Sequence, residues 1–493
     1  MKRLLITLSI FLYSLGGIQS AEQPNVLFIF ADDQCFETIA AFGLTDIETP
    51  NLDRLVAQGT TFTHAYNMGS WSGAVCVASR HMLNTGAFVW HAEAISNQIG
   101  GSAKKGKGKD KPESAAKSTW PDFQEKGLMW SQLMEKAGYD TYMTGKWHVK
   151  ADANKIFKDA RHVRGGMPQQ TKEGYNRPVE GQPDVWSPYD PKFGGFWEGG
   201  KHWSEVVGDD ASDFLGLAAK KENPFFMYIA FNAPHDPRQS PKEYVDKYPL
   251  DRIKMPVNFL PEYPYKDKID NRPSLRDEAL APFPRTEYAV KVNRQEYYAI
   301  ITHLDVQVGR ILDALEASGK ADNTWIFFTA DHGLAVGHHG LMGKQNLFDH
   351  SVRVPMIVKG PGVAAGARND SPVYLQDVMP TSLELAGAAI PEHVQFHSLK
   401  PILEGKSEGY DAIYGGYLKS QRAVSSDGFK LIFFPNVPKL LLFDLKNDPM
   451  EMKDLSDDPA QAETIKSLVE KFKGLQQETG DTLDLKVAFP ELF

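Results

Sequence analysis

The stretch NVLFIFADD (Asn25–Asp33) is an unbroken apolar run, Asn25–Ala31, that stops on two adjacent carboxylates, Asp32 and Asp33. It is too short for a helix that stands alone, and it shows no alternation of polar and apolar residues. A strand buried on both faces, as in a parallel sheet, fits this pattern. In open α/β sheets, ligands sit outside the carboxyl ends of the strands. The acidic pair therefore lies where such a sheet places its chemistry.

Four further runs repeat the plan. YDTYMT (139–144) leads into Gly145-Lys146-Trp147-His148, and PFFMYIAFN (224–232) into Ala233-Pro234-His235-Asp236-Pro237. TWIFFTA (324–330) leads into Asp331-His332-Gly333, and RVPMIV (353–358) into Lys359-Gly360-Pro361-Gly362. Helical patterns lie between them, over Trp130–Ala137, Asp209–Lys220, Glu296–Ser318 and Leu375–Ala388. The alternation predicts an α/β fold with a large, mostly parallel sheet sandwiched by helices. From about residue 395 the pattern changes. AIYGGYL, FKLIFFP and KLLLFDL, followed by an acidic turn and an amphipathic run from about Ala460 to Glu478, predict a smaller antiparallel sheet with one helix. The expected division is a catalytic domain over 21–394 and a C-terminal subdomain over 395–493.

Composition bounds the partners. The chain has 493 residues, 42% hydrophobic and 24% charged, which describes an ordinary globular protein. Its formal charge of −9 argues against nucleic acid or an anionic membrane as a general partner. An anionic substrate needs a local basic pocket. Lys2 and Arg3, the apolar stretch Leu4–Leu15 and the small pair Ser20-Ala21 read as a signal peptide over 1–20, so export to the periplasm or medium is expected. No later stretch has the apolar length of a spanning helix, so no membrane association is expected after signal removal. The Lys- and Gly-rich stretch at about 100–118 predicts a mobile insertion, either simply solvated or a basic lip. Two cysteines, Cys35 and Cys76, cannot build a disulfide framework. Oligomeric state leaves no mark in the sequence.

The strand-end clusters suggest specific chemistry. Asp32, Asp33 and Asp331 would repel one another unless a cation lay among them, and hard oxygen ligands suit Ca²⁺ or Mg²⁺. His332 could add a nitrogen ligand, and no spacing here suggests zinc. Arg80, Lys146, His148, His235 and Lys344 together would bind a tetrahedral oxyanion and stabilise charge during its transfer. In SWSGAVCVASRHMLNTG (70–86), Cys76 and Arg80 stand four apart, on one face of a helix starting near Ser72–Val75. Cys76 then occupies the positive end of that helix. It could be a core thiol, a metal ligand, a nucleophile or a group converted after synthesis. Hydrolysis of a strong acid's ester favours the last, because a geminal diol can attack with one hydroxyl and expel the product through the other. Formylglycine made from cysteine provides that diol. Cys35 reads as a small buried thiol.

These motifs together resemble the formylglycine-dependent sulfatases of the alkaline phosphatase superfamily. The resemblance rests on NVLFIFADDQ (25–34), Cys76-Val77-Ala78-Ser79-Arg80, TGKWH (144–148), NAPHDP (232–237), TADHG (329–333), GKQNLFDHSVRVP (343–355) and LLLFDLKNDPMEMKDL (440–455), in the family's order over nearly all of 24–457. Ala78 stands where proline is more usual, and Asp331-His332 where many members have Asp-Asn. The resemblance implies a sulfuric ester hydrolase acting on a sulfated carbohydrate, with Cys76 converted to formylglycine by a maturase before folding. It implies calcium, ahead of magnesium, held by Asp32, Asp33, Asp331, His332 and an oxygen of residue 76. Arg80 would stabilise the hydrated aldehyde, Lys146 would bridge it to the sulfate, and His148 would be the base that releases sulfate. His235 with Lys344 would bind sulfate oxygens and protonate the leaving alcohol. The aromatic and charged segment from Ala151 to Ser204 is the expected pocket wall, with Arg161, His162, Arg164, Lys201, His202 and Trp203 as sugar-binding candidates. Two other readings are a phosphate or phosphonate ester hydrolase of the same superfamily and a non-catalytic glycan-binding protein with Cys76 unmodified.

Overall fold

The computed structural model describes residues 23–100, 119–165, 171–236 and 238–493. The expected signal peptide and nearly all of the basic insertion lie outside the described residues. Up to residue 400 the strands are β1 (Asn25–Ala31), β2 (Thr60–Tyr66), β3 (Gly69–Ser70), β4 (Asp140–Lys146), β5 (Asp159–Arg164), β6 (Phe225–Ala230), β7 (Thr324–Ala330), β8 (Arg353–Lys359), β9 (Ala367–Asn369) and β10 (Val373–Tyr374). Beyond it come β11 (Ile413–Tyr417), β12 (Gln421–Ser426), β13 (Phe429–Phe434) and β14 (Lys439–Asp444).

The large sheet has nine strands in the order β10-β2-β8-β7-β1-β6-β4-β5, with β9 also on β2. Its centre, from β7 through β1, β6 and β4 to β5, is parallel throughout. β1, β4, β6 and β7 are buried over their whole lengths, which is why β1, β6 and β7 are mainly apolar on both faces, whereas β4 carries Asp140, Thr141, Thr144 and Lys146 among its buried residues. β8 departs from the parallel reading of RVPMIV: it runs antiparallel to both β7 and β2. The connection from β7 holds only the short helix Asp349–Val352, so the chain returns beside β7 without a helical crossover.

Helices cover both faces. Tyr142 of β4 aligns with Met227 of β6 and Leu27 of β1, so these three share one face. There the ring of Phe214, from the helix Trp203–Ala218, meets Tyr142. The long helix Glu287–Ala317 packs against that helix, where Arg310 pairs with Asp209. Phe28, Phe226 and Tyr228 point to the other face and pack on Trp130 of the helix Trp130–Lys136. The expected helix over 375–388 is divided into a 3₁₀ turn, Leu375–Asp377, and the helix Val378–Leu385.

The smaller sheet has the order β14-β13-β12-β11-β3 and is antiparallel from β11 to β14. β3 joins it parallel to β11, so the chain just before Cys76 is tied to strands from beyond residue 412. The helix Ala462–Glu478 covers this sheet, with Phe472 against Tyr414 and Phe433. At the seam between the sheets, buried Lys430 of β13 pairs with Asp349 and, at 2.7 Å, with Glu451.

Candidate active site

Five chain segments meet at the carboxyl ends of the central strands. β1 ends on Asp32 and Asp33, and Asp33 takes a left-handed backbone, φ 68°, in spite of its side chain. β7 ends on Asp331 and His332. β6 leads through Asn232 to His235. β4 ends on Lys146, directly after Gly145, whose φ is 92° and where a Cβ would lie 1.8 Å from the carbonyl oxygen of Ala230. Only glycine lets β4 lie this close to β6 there. Opposite them, the helix Val75–Thr85 carries Cys76 in its first turn, where no side chain caps the helix start, and Arg80 one turn later. Asp32, Asp33, Cys76, Arg80, Lys146, His235, Asp331, His332 and Lys344 are all buried, and His148 is half-buried.

The cluster is bound together by charge. Lys146 donates from Nζ to Asp32, and the same atom lies 3.6 Å from Cys76 Sγ. Arg80 places Nε 3.0 Å from Asp331 Oδ2 and donates from Nη1 to the Lys146 carbonyl at 2.7 Å. Lys344 Nζ lies 2.8 Å from both oxygens of Asp33 and 2.9 Å from His235 Nε2. Burial by itself pushes the Cys76 thiol up, but Lys146 and Lys344, with hydrogen bonding from His148 and His235, hold it well below the ordinary thiol range. Burial and the neighbouring Asp331 raise Asp32 despite Lys146. Burial and Lys344 work against a charged His235, yet Asp33 and Asp236 prevail and raise it to about 9.

The donor set fits a divalent cation. Single ligand atoms of Asp32, Cys76, Asp331 and His332 lie within 4.8 Å of one another, and so do those of Asp32, Asp33 and His235. Asp32 Oδ1 and His332 Nε2 are buried and lack a hydrogen-bond partner among the described residues. His332 Nδ1 lies 2.9 Å from the Gly333 carbonyl oxygen, an acceptor only, so this nitrogen carries the hydrogen. Its Nε2 faces Asp33 Oδ1 at 3.2 Å and Asp331 Oδ1 at 3.5 Å. Asp331 and Asp33 raise the affinity of His332 for a proton against the effect of burial, so positive charge is favoured at this nitrogen, as its own proton or as a cation held between it and the carboxylates.

Some neighbours carried no signal in the sequence. His81, on the Cys76 helix, binds the Val77 carbonyl through Nδ1 at 2.7 Å and accepts the Lys150 N–H at Nε2, 3.1 Å away. It ties the helix to the loop of His148, which sits at φ 53°. Burial holds His81 neutral, at about 4, as this double role requires. Asp236 Oδ1 lies 2.7 Å from His235 Nδ1, and Tyr297 donates to the Asp33 carbonyl at 2.5 Å. Arg276 Nη2 lies 3.3 Å from His235 Nε2 and pairs with Asp277, which also accepts from Gln345 Nε2 at 2.6 Å. Of these, Asp236, beside His235 in NAPHDP, and Gln345, in GKQNLFDHSVRVP, stood within recognised motifs. Cys35 is a free, buried thiol whose N–H donates to Tyr297.

The six wall candidates fare differently. Arg161 pairs with Asp159 at 2.8 Å and Asp213 at 3.6 Å, and His162 with Asp210 at 2.7 Å. Lys201 pairs with Asp209 on the surface. His202 is buried as the N-cap of the helix Trp203–Ala218, where it accepts the Ser204 N–H at 3.1 Å. Trp203 is buried, and Arg164 at the end of β5 is half-buried beside it. None of the six has a hydrogen bond or ion pair to the Cys76 cluster among the described residues.

Comparison with known proteins gives the cluster a family. A family model described as Sulfatase matches residues 24–388, and one described as N-sulphoglucosamine sulphohydrolase, C-terminal, matches residues 337–478. An N-acetylglucosamine-6-O-sulfatase of Bacteroides thetaiotaomicron is 25% identical, over 94% of this chain and 88% of that protein. A protein solved in complex with its substrate D-glucosamine-2-N,6-O-disulfate superposes with a TM-score of 0.70 at 24% identity, over 93% of this chain and 99% of that one. A phosphonate monoester hydrolase from Silicibacter pomeroyi reaches the same 0.70 at 20% identity, over 94% and 96%. The two structural likenesses speak to the fold alone. The sulfatase model, matched from the first residue before β1 to beyond the helix that ends at Leu385, speaks to the family: this chain belongs to the sulfatases and is a sulfuric ester hydrolase.

Proposed function

We propose that the protein releases inorganic sulfate from a sulfated oligosaccharide or polysaccharide, with residue 76 in its formylglycine form and calcium in the carboxylate site. One observation carries this reading: two buried lysines and a buried group of carboxylates and histidine converge on the sulfur of a single buried cysteine. Relatives that act on sulfated amino sugars support a carbohydrate substrate.

Asp32, Asp33, Asp331 and His332 would hold the metal, which when bound supplies positive charge that polarises the sulfate. Hydrated formylglycine offers two hydroxyls, one to attack sulfur as the S–O bond to the sugar breaks and one to lose its proton as sulfate departs. Lys146 and Lys344 bind sulfate oxygens, and Arg80 orients residue 76 while holding Asp331 in place. His235 carries a proton towards the leaving sugar oxygen, with Asp236 fixing its ring. His148 accepts the proton of the second hydroxyl. Because Cys76 is only 2% exposed, a maturase reaches it before the chain folds. The amino-terminal stretch over 1–20 directs export. The part up to 394 holds the catalytic groups, and that from 395 is a smaller subdomain packed on it, with Gln421 hydrogen-bonded to the Gln345 carbonyl at 2.8 Å.

Mass spectrometry of the peptide holding residue 76, from the native host, together with sulfate release from a panel of sulfated oligosaccharides, tests this. Loss of the thiol sulfur and gain of an aldehyde are expected. An intact thiol with glycan binding but no sulfate release supports the binding-protein reading instead. The phosphonate hydrolase fold likeness keeps a second activity in view. Faster turnover of a matched aryl phosphate or phosphonate than of the aryl sulfate would overturn the sulfate reading.

A further inference from the structure

Arg164 ends β5, and the β4–β5 ladder sets it opposite Lys146, the residue whose ammonium touches Cys76. The Trp147 N–H donates to the Arg164 carbonyl at 2.7 Å, so the backbones of the two strand ends are locked together, about 4.8 Å apart. The Arg164 side chain lies against two indoles, its Cζ 4.4 Å from the ring centre of Trp203 and 5.1 Å from that of Trp197. Stacking of this kind fixes a guanidinium plane and leaves its N–H edge free for an acceptor.

No acceptor for it stands among the described residues. Five acids of this region are engaged elsewhere: Asp159 and Asp213 with Arg161, Asp210 with His162, Asp209 with Lys201 and Arg310, and Glu205 with His303. Arg164 has no ion pair or side-chain hydrogen bond among the described residues, and burial is the one influence resolved on its charge. Beside it the indole Nε1 of Trp203 is buried without an acceptor as well, in a residue 2% exposed. The half-buried guanidinium thus keeps an N–H edge open to solvent and uncompensated by any described carboxylate, beside one buried indole N–H that has no partner among the described residues. Such an edge is open to an acceptor from a ligand, and a guanidinium favours an anionic one.

We propose that Arg164, framed by Trp197 and Trp203, is a subsite for a second anionic group, a carboxylate or another sulfate, on the sugar next to the ester being cleaved. This rests on the reading of the protein as a sulfatase of sulfated carbohydrates. Its place beside Lys146, without contact to the reacting cluster, suits recognition of the neighbouring ring and not of the reacting sulfate. Arg164 is here a specificity residue and takes no part in the bond-breaking step.

The test takes the sulfated oligosaccharide that the wild-type enzyme hydrolyses best, its carboxyl-reduced counterpart and its counterpart lacking the second sulfate. Each is compared with 4-nitrophenyl sulfate, which has no second anion. In the wild type, kcat/KM falls when the recognised anion is removed, and the counterpart responsible tells carboxylate from sulfate. In R164A the preference for the doubly anionic substrate over 4-nitrophenyl sulfate falls tenfold or more, mainly through KM. R164K, which keeps the charge without the stacked plane, recovers part of that preference and guards against a folding defect. An unchanged preference in both variants overturns the subsite, as does a wild type indifferent to the second anion. Absence of sulfate release from every ester, 4-nitrophenyl sulfate included, overturns the activity on which the subsite rests.

Discussion

Two buried charge clusters in this molecule invite comparison. At the seam between the sheets, Lys430 donates to Asp349, to Glu451 at 2.7 Å and to the Leu347 carbonyl at 3.2 Å, while Glu451 also accepts the Asp349 N–H at 2.7 Å. None of the polar side-chain atoms of Lys430, Asp349 or Glu451 is left without a partner. At the ends of the parallel strands, Lys146, Lys344 and Arg80 likewise neutralise carboxylates, yet Asp32 Oδ1, Arg80 Nη2, His148 Nδ1 and His332 Nε2 have no hydrogen-bond partner among the described residues, Arg80 Nη2 and Asp32 Oδ1 standing 3.6 Å apart. Both clusters bear the cost of removing charge from water. The seam recovers it within the protein. The strand-end cluster is left incomplete and ready for a cation and an oxyanion. Between these two sets of charged side chains, the atoms left unsatisfied, more than the buried charge itself, mark the one able to take a ligand.

The comparison can be broken at its strongest point first. Cys76→Ala should reduce sulfate release about 10⁴-fold or more, the scale on which removal of a covalent nucleophile acts, with the thermal midpoint kept near that of the wild type. Retention of most turnover would remove residue 76 from the chemistry. Chelation should abolish activity reversibly. Adding Ca²⁺ back should raise the thermal midpoint of the wild type, because a ligand bound only by the folded state stabilises it, but not that of Asp331→Asn. An equal rise in both would place the cation elsewhere.

At the seam, Lys430→Met strands two acidic groups and should cost about 3–5 kcal/mol in denaturant unfolding, the usual result of breaking a buried ion pair. Turnover per folded molecule should persist. A large fall in kcat with unchanged stability would erase the distinction between the clusters. The smallest effect is expected at His81. His81→Leu leaves the Lys150 N–H without its acceptor, a loss of about 1–3 kcal/mol, and should lower kcat roughly tenfold by loosening the His148 loop. A rise in KM with kcat intact would count against that role.

Reading the sequence went furthest where burial on both faces leaves a plain signature. β1 and β7 have the residues expected of them, and the helix Ala462–Glu478 lies within two residues of its expected start. β2, TTFTHAY, and β12, QRAVSS, escaped notice, because strands carrying polar residues on one or both faces lack that signature. Asp32, Asp331, Lys146 and His235 were conspicuous as ionisable groups directly following apolar strands. Arg276, Asp277 and Tyr297 were not, since the first two come from an irregular segment and the third from the middle of a long helix.

The chain's own order of residues determined the α/β class, the strands that form the middle of the large sheet and the kinds of chemical group at their ends, because apolar runs and the charges that terminate them are local features. Only the tertiary structure decided which groups share a space and which buried atoms and which wall residue go without a partner among the described residues. Those depend on distances between segments hundreds of residues apart, such as Asp33 and Lys344 at 2.8 Å, and no local pattern encodes such a distance.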